Sequence, residues 1–211
     1  MADDAPITIK SWSPRNADGR FRGIVSLRTA LIHSLNTVPV RIYQQIGAEP
    51  ILAMCARFGI PQDDEGPSVV LGAGSVTLLD LTAAYAALAN GGVGVWPHGL
   101  DSVRDRDGRI VDKPSGGGPG RVADADTTAE VVRILAQVLV EGTGRNARLP
   151  IPAAGKTGTT QDGRDAWFVG FTDRYVVGVW LGNDDNSPME KVGGGTLPAR
   201  IWRDVMTDLH R

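Results

Sequence analysis

Apolar positions follow two different periods along the chain, and the change falls near Pro152. The first 25 residues carry no period: Trp12, Pro14, Asn16 and Gly19 interrupt any run, so the stretch reads as irregular. From there the spacing turns helical. Residues 26–35 put Leu27, Leu31 and Ser34 on one face. Residues 39–46 and 50–58 predict two short helices, each with an early proline (Pro39, Pro50) and a glycine at the stop (Gly47, Gly59). A longer helix is predicted over 78–89. Thr77 and Asp80 make a capping-box-like start, Leu78, Leu81, Tyr85 and Leu88 an apolar stripe, and Asn90-Gly91-Gly92 a stop. Residues 101–112 predict a hairpin turning at Asp107-Gly108, and 113–120 a flexible loop. A helix over 128–141 follows, with Thr127 as N-cap and Val131, Leu135, Val138 and Leu139 on its apolar face.

Past Pro152 the runs become strand-like: 153–160, 165–172 and 175–183. Turns at Asp162-Gly163 and Asp173-Arg174 predict an antiparallel meander. A last helix over 198–209 starts at Thr196 and Pro198, with Gly193-Gly194-Gly195 as a flexible approach to it. No internal repeat is visible. The class is therefore α+β in one domain over 1–211, mostly helical over about 26–150, then strands and a C-terminal helix over about 151–211.

Composition narrows the function classes. Lys plus Arg is 22 against 24 for Asp plus Glu, a net charge of −2 that argues against a nucleic-acid partner. The single cysteine, Cys55, excludes an internal disulfide and reads as a small apolar helix residue. His33, His98 and His210 are scattered without paired ligand spacing, so no metal and no cofactor is expected. Asp184-Asp185-Asn186 lacks the spaced ligands of a calcium loop and reads as a polar turn. No eighteen-residue apolar run occurs, and the acidic start, Met1-Ala2-Asp3-Asp4, is not a signal peptide. The expectation is a chain with no export or anchoring segment of its own.

Two short motifs carry the candidate chemistry. Gly155-Lys156-Thr157-Gly158-Thr159 is not a phosphate-binding loop: that loop needs glycine at position 150, which is proline, and a following helix where a strand is predicted. On a strand, Lys156 and Gly158 share one face while Thr157 points away. Lys156 then supplies positive charge for an anionic ligand, and Gly158 lets a backbone come close. Such a Lys-Thr-Gly strand is known from penicillin-binding proteins and serine β-lactamases. Ser34-Leu35-Asn36 is the second motif; it places a hydroxyl and a carboxamide at a helix end, 122 residues before Lys156.

Around these stand Trp12-Ser13-Pro14-Arg15-Asn16, Val25-Ser26-Leu27-Arg28-Thr29-Ala30-Leu31 and the run from Leu79 to Gly92. Gly142-Thr143-Gly144 and Asp165-Ala166-Trp167-Phe168-Val169-Gly170-Phe171 follow in order. The ensemble closely resembles the transpeptidase domain of class A, bifunctional penicillin-binding proteins over nearly the whole chain. The closing Pro198-Ala199-Arg200-Ile201-Trp202 fits that family better than a serine β-lactamase.

The resemblance implies a β-lactamase/transpeptidase-like fold, incomplete here, and a site for peptidoglycan D-Ala-D-Ala stem peptides and β-lactams. It implies that Ser34 relays protons, that Asn36 hydrogen-bonds the donor's amide, and that Lys156 holds the Ser34 network. By the same resemblance Thr157, Gly158 and Thr159 bind substrate, the two threonines at its carboxylate, and the Thr159 backbone N–H forms half an oxyanion hole. The implied location is the periplasmic side of the bacterial inner membrane.

One motif of that family is absent. Three residues before Lys10, Lys113, Lys156 and Lys191 stand Ile7, Ile110, Ala153 and Pro188, so the 211 residues hold no Ser-x-x-Lys nucleophile motif. The family places it further upstream than the residues preceding Ser34 reach. The expectation is a chain that starts after it, inactive alone in acyl transfer, with an apolar groove, a 175–183 strand short of one neighbour, and marginal stability. The alternatives are a non-catalytic module that binds stem peptides or β-lactams reversibly, and one half of a split enzyme completed by a separate N-terminal chain.

Overall fold

The computed structural model describes residues 1–114 and 116–211; Ser115, inside the loop predicted over 113–120, lies outside the described residues. The N-terminal stretch is not irregular throughout. β1 (Ala2–Asp4) pairs antiparallel with β2 (Gly23–Val25), Ala2 opposite Val25. Three-residue strands are too short to show an alternation, and hydrogen bonds to a buried side chain, Asp4, brace the pair.

α1 (Leu27–His33) is capped by Ser26, whose hydroxyl accepts the Thr29 N–H. Its buried residues are Ala30 and Ile32, while Leu27 is 53% exposed. The predicted Leu27–Leu31–Ser34 face is therefore corrected: Ala30 is buried with Val25, Leu35 and Val38, Leu31 packs partly buried against the main core, and Leu27 is left outside both. α2 (Thr37–Ile46) begins two residues before the predicted start, burying Thr37, Val38 and Val40, and α3 (Glu49–Arg57) carries Pro50 in its first turn. A 3-10 turn over Pro67–Leu71 leads to α4 (Leu78–Ala89), where Thr77 accepts the Asp80 N–H at 3.1 Å. β3 (Val103–Arg104) and β4 (Ile110–Asp112) form the predicted hairpin.

α5 (Ala125–Val140) starts three residues earlier than the pattern predicted, because Asp124 and not Thr127 caps it. Asp124 Oδ1 accepts the Thr127 N–H at 2.8 Å and its hydroxyl at 2.9 Å, which holds the carboxyl below the usual carboxylate range. Within the segment expected to be a flexible loop, residues 117–120 are docked instead. Gly94 donates to Gly120 O at 2.8 Å and Trp96 to Gly117 O at 2.9 Å, and a Cβ at Gly118 would lie 2.0 Å from Gly94 O.

β5 (Ala154–Thr159), β6 (Asp165–Phe171) and β7 (Val176–Gly182) form the predicted antiparallel meander, in the order β5-β6-β7. The register sets Lys156 opposite Val169 and Val169 opposite Gly178, so these three share a face by alternation. α4 crosses that face closely: a Cβ at Gly178 would sit 2.2 Å from Thr82 Oγ1. The opposite face, with Phe168 and Val179, meets α6 (Leu197–Leu209) through Trp202, whose ring lies 5.1 Å from that of Phe168. Trp202 is fully buried, and its indole N–H donates to Gly170 O and Val177 O, tying the helix to two strands. Leu135, Val138 and Leu139 of α5 and Met206 of α6 complete this main core.

Candidate functional site

The site forms where the end of α1 meets β5. α1 stops because Ser34 takes the left-handed conformation, φ 54 and ψ 49, as its C-cap. A non-glycine residue there is strained by about 1 kcal/mol or more. The turn leaves Ser34 outside the helix, buries Leu35, and starts the next helix after Asn36. The predicted helical face through Ser34 thus gives way to a sharp corner that carries the hydroxyl.

Lys156 reaches that corner from β5. Its Nζ donates to Ser34 Oγ at 2.8 Å and to Thr157 O at 3.1 Å. No carboxylate pairs with it among the described residues. Burial pulls its pKa down from 10.5 to about 8, so at neutral pH the ammonium is still mostly charged but loosely held. Positive charge therefore faces a space with no protein counter-ion, which is the electrostatic requirement for an anionic ligand.

Thr157 and Thr159 fall on the other face of the strand from Lys156 by alternation. Thr157 Oγ1 lies 2.6 Å from Thr143 Oγ1, and Thr159 Oγ1 accepts the Gly194 N–H at 3.0 Å. Thr143 is a neighbour that the sequence did not single out as a site residue, although it stands inside Gly142-Thr143-Gly144. The two glycines explain its position. A Cβ at Gly142 would lie 2.4 Å from Ile32 O, and one at Gly144 3.2 Å from both Phe168 and Val138. Only without side chains does the end of α5 come this close.

The stretch Gly193-Gly194-Gly195, expected to be a flexible approach to α6, is packed. A Cβ at Gly194 would meet Trp167 O at 2.3 Å and Gly158 O at 2.4 Å, and Asn146 Nδ2 donates to Gly195 O at 2.7 Å. Its role is close backbone contact behind the Lys-Thr-Gly strand.

A cavity of about 790 Å³ opens beside these groups, lined among others by Asn36, Tyr85, Lys156, Thr157, Thr159 and Trp167. Cys55 also lines it, and burial raises its thiol pKa, as for an inert apolar neighbour. Ser34, Asn36, Lys156, Thr157, Gly158 and Thr159 are thus brought to one region from two chain segments. No cluster of three or more His, Cys, Asp or Glu side chains able to hold a metal is found among the described residues. No helix among them is long and apolar enough to cross a membrane.

Residues 2–207 match the family described as Penicillin binding protein transpeptidase domain. Penicillin-binding protein 1A of Neisseria meningitidis serogroup A is 37% identical over 98% of this chain and 28% of its own length. That of Aquifex aeolicus is 37% identical over 93% of this chain and 27% of its own. The chain therefore spans little more than a quarter of these relatives. Among solved structures, the penicillin-binding protein PonA1 from Mycobacterium tuberculosis superposes with a TM-score of 0.91 at 23% identity, covering 100% of this chain and 62% of that one. PonA1 in complex with penicillin V gives 0.90 at 24%, covering 100% and 63%. Penicillin-Binding Protein 1A from Haemophilus influenzae gives 0.87 at 24%, covering 97% and 38%. The family match over residues 2–207 and the relatives 37% identical over nearly the whole chain show that the chain belongs to the penicillin-binding protein transpeptidase domain family.

Proposed function

We propose that this chain forms the ligand-gripping part of a peptidoglycan D,D-transpeptidase site, which binds D-Ala-D-Ala stem peptides and β-lactams on the periplasmic side of the bacterial inner membrane. The observation that carries this reading is the 2.8 Å bond from Lys156 Nζ to Ser34 Oγ at the edge of the cavity, made by a cation with no protein counter-ion among the described residues. Lys156 attracts the ligand carboxylate, and Thr157 and Thr159 bind it. Asn36 hydrogen-bonds the ligand's amide. The Thr159 backbone N–H faces the carbonyl oxygen as one oxyanion donor, a contact worth about 3–4 kcal/mol in a complete acyl-transfer site. Ser34, held by Lys156, relays a proton between the attacking and leaving groups.

The 211 residues contain no Ser-x-x-Lys, so acylation by this chain alone has no motif serine to accept the acyl group. The expected behaviour is therefore reversible binding without a covalent adduct. The test is incubation of the folded chain with fluorescent penicillin, followed by a denaturing gel, beside an NMR titration with penicillin V. Saturable shifts at Lys156–Thr159 with no labelled band are expected. A covalent band lost in Ser34→Ala would overturn the assignment of Ser34 as a relay. Absence of any shift at millimolar ligand would overturn the binding role.

A further inference from the structure

Asp4 is fully buried, and no ion pair to it is formed among the described residues. A carboxylate is costly to bury unless its oxygens are met by donors. Asn16 Nδ2 donates to both oxygens at 2.9 Å, the Arg22 backbone N–H to Oδ2 at 2.9 Å, and the Thr37 hydroxyl to Oδ1 at 2.5 Å. Both Asp4 oxygens accept in this arrangement, so Asn16 turns its NH₂ toward Asp4. The same NH₂ donates to Arg20 O at 2.7 Å. That leaves Asn16 Oδ1, which accepts the backbone N–H of Asn36 at 2.7 Å. The neighbouring Arg15 carbonyl accepts from Asn36 Nδ2 at 2.6 Å. Residues 15 and 16 thus hold Asn36 at its backbone and at its amide nitrogen together.

We propose that Asp4 and Asn16 are positioning residues for Asn36: the buried carboxylate fixes the amide sense of Asn16, and Asn16 fixes the residue that hydrogen-bonds the ligand's amide. The role in ligand binding rests on the function proposed above; the hydrogen-bond relay does not. Reversing one link has a defined effect. Asp4→Asn keeps the shape but sets an NH₂ among donors, so Asn16 gains by rotating its own oxygen toward position 4. Its NH₂ would then face the Asn36 N–H, donor against donor.

The experiment uses the 211-residue chain labelled with ¹⁵N and ¹³C, and penicillin V as the probe. In the unsubstituted chain a through-hydrogen-bond coupling between the Asn36 amide nitrogen and Asn16 Cγ is expected. In Asp4→Asn that coupling should vanish, and the dissociation constant for penicillin V should rise about tenfold, as for the loss of one well-placed hydrogen bond. The exchanged pair Asp4→Asn with Asn16→Asp restores an acceptor for the Asn36 N–H but removes the donor to Arg20 O, and should recover part of the affinity, which a purely structural role for the Asp4 carboxylate would not allow. The proposal is overturned if affinity is unchanged in a folded Asp4→Asn chain whose coupling is lost, or if the coupling survives there. Should Asp4→Asn fail to fold, the coupling in the unsubstituted chain decides, and its absence overturns the relay. If the unsubstituted chain does not bind penicillin V, the binding role fails, and the response of the coupling still decides the relay by itself.

Discussion

Replacing Lys156 by methionine should stabilise the fold at neutral pH while removing the ligand grip. Burial holds the Lys156 ammonium at a pKa of about 8, down from 10.5. A base whose folded pKa lies below its unfolded value holds its proton more tightly when unfolded. Below about pH 8 the folded chain carries the whole cost of the buried charge; between 8 and 10.5 that cost fades, so stability climbs with pH. The fall from 10.5 corresponds to about 3 kcal/mol at pH 7. The bonds from Nζ to Ser34 and Thr157 offset part of it at about 1 kcal/mol each, which leaves methionine ahead by about 1–2 kcal/mol. Urea denaturation of both chains at pH 7 and pH 9.5 measures the difference. The wild type should gain about 2 kcal/mol relative to Lys156→Met across that interval. Staying below pH 10 keeps Tyr85 out of the comparison, because burial pushes its pKa up to about 12 and its stabilising effect is lost only above its unfolded value. A Lys156→Met chain that is less stable at pH 7, with a gap unchanged at pH 9.5, would refute the reasoning.

Four further outcomes are expected. Penicillin V affinity should fall as pH rises through about 8, where Lys156 loses its charge; isothermal titration from pH 6.5 to 9.5 reads this. Gly194→Ala should destabilise by about 1–3 kcal/mol in urea, because its Cβ meets the backbone of Trp167 and Gly158 rather than a yielding side chain. Trp202→Ala, which empties the core and frees two carbonyls, should cost about 3–5 kcal/mol and lower the calorimetric Tm by many degrees. Thr77→Ala removes the α4 cap and should cost about 1 kcal/mol by the same urea assay.

The strands and longer helices were legible in the sequence because their signals are local. Turns at Asp162-Gly163 and Asp173-Arg174 separate three apolar runs, and the capping pattern at Thr77 and Asp80 is what starts α4. The site motifs were legible as residue types, but their geometry was not. No local pattern says that Ser34 adopts a left-handed corner, since that conformation is set by the start of α2 and the burial of Leu35. Thr127 looked like the cap of α5, yet an aspartate three residues earlier offers the better acceptor. Gly194, Gly195 and Gly118 resembled parts of flexible linkers because glycine has the same letter in a loose loop and in a tight contact. Only the neighbours decide which it is, and those come from residues far away in the chain. Asp4 was read only as part of an acidic start; its burial depends on Asn16, Arg22 and Thr37, which no short window contains.

The Ser34–Lys156 bond joins positions 122 residues apart, and this sets an order of events during folding. Closing so long a loop costs about 4 kcal/mol of chain entropy, while the meander of β5, β6 and β7 closes over short turns. The sheet can therefore nucleate with α6 before α1 arrives, and such a partly folded chain would already hold Trp202 in its core. It would lack the Lys156–Ser34 bond. After dilution from denaturant, burial of Trp202 should be complete well before competence for the ligand returns, and the interval between the two is the docking time of the N-terminal helices.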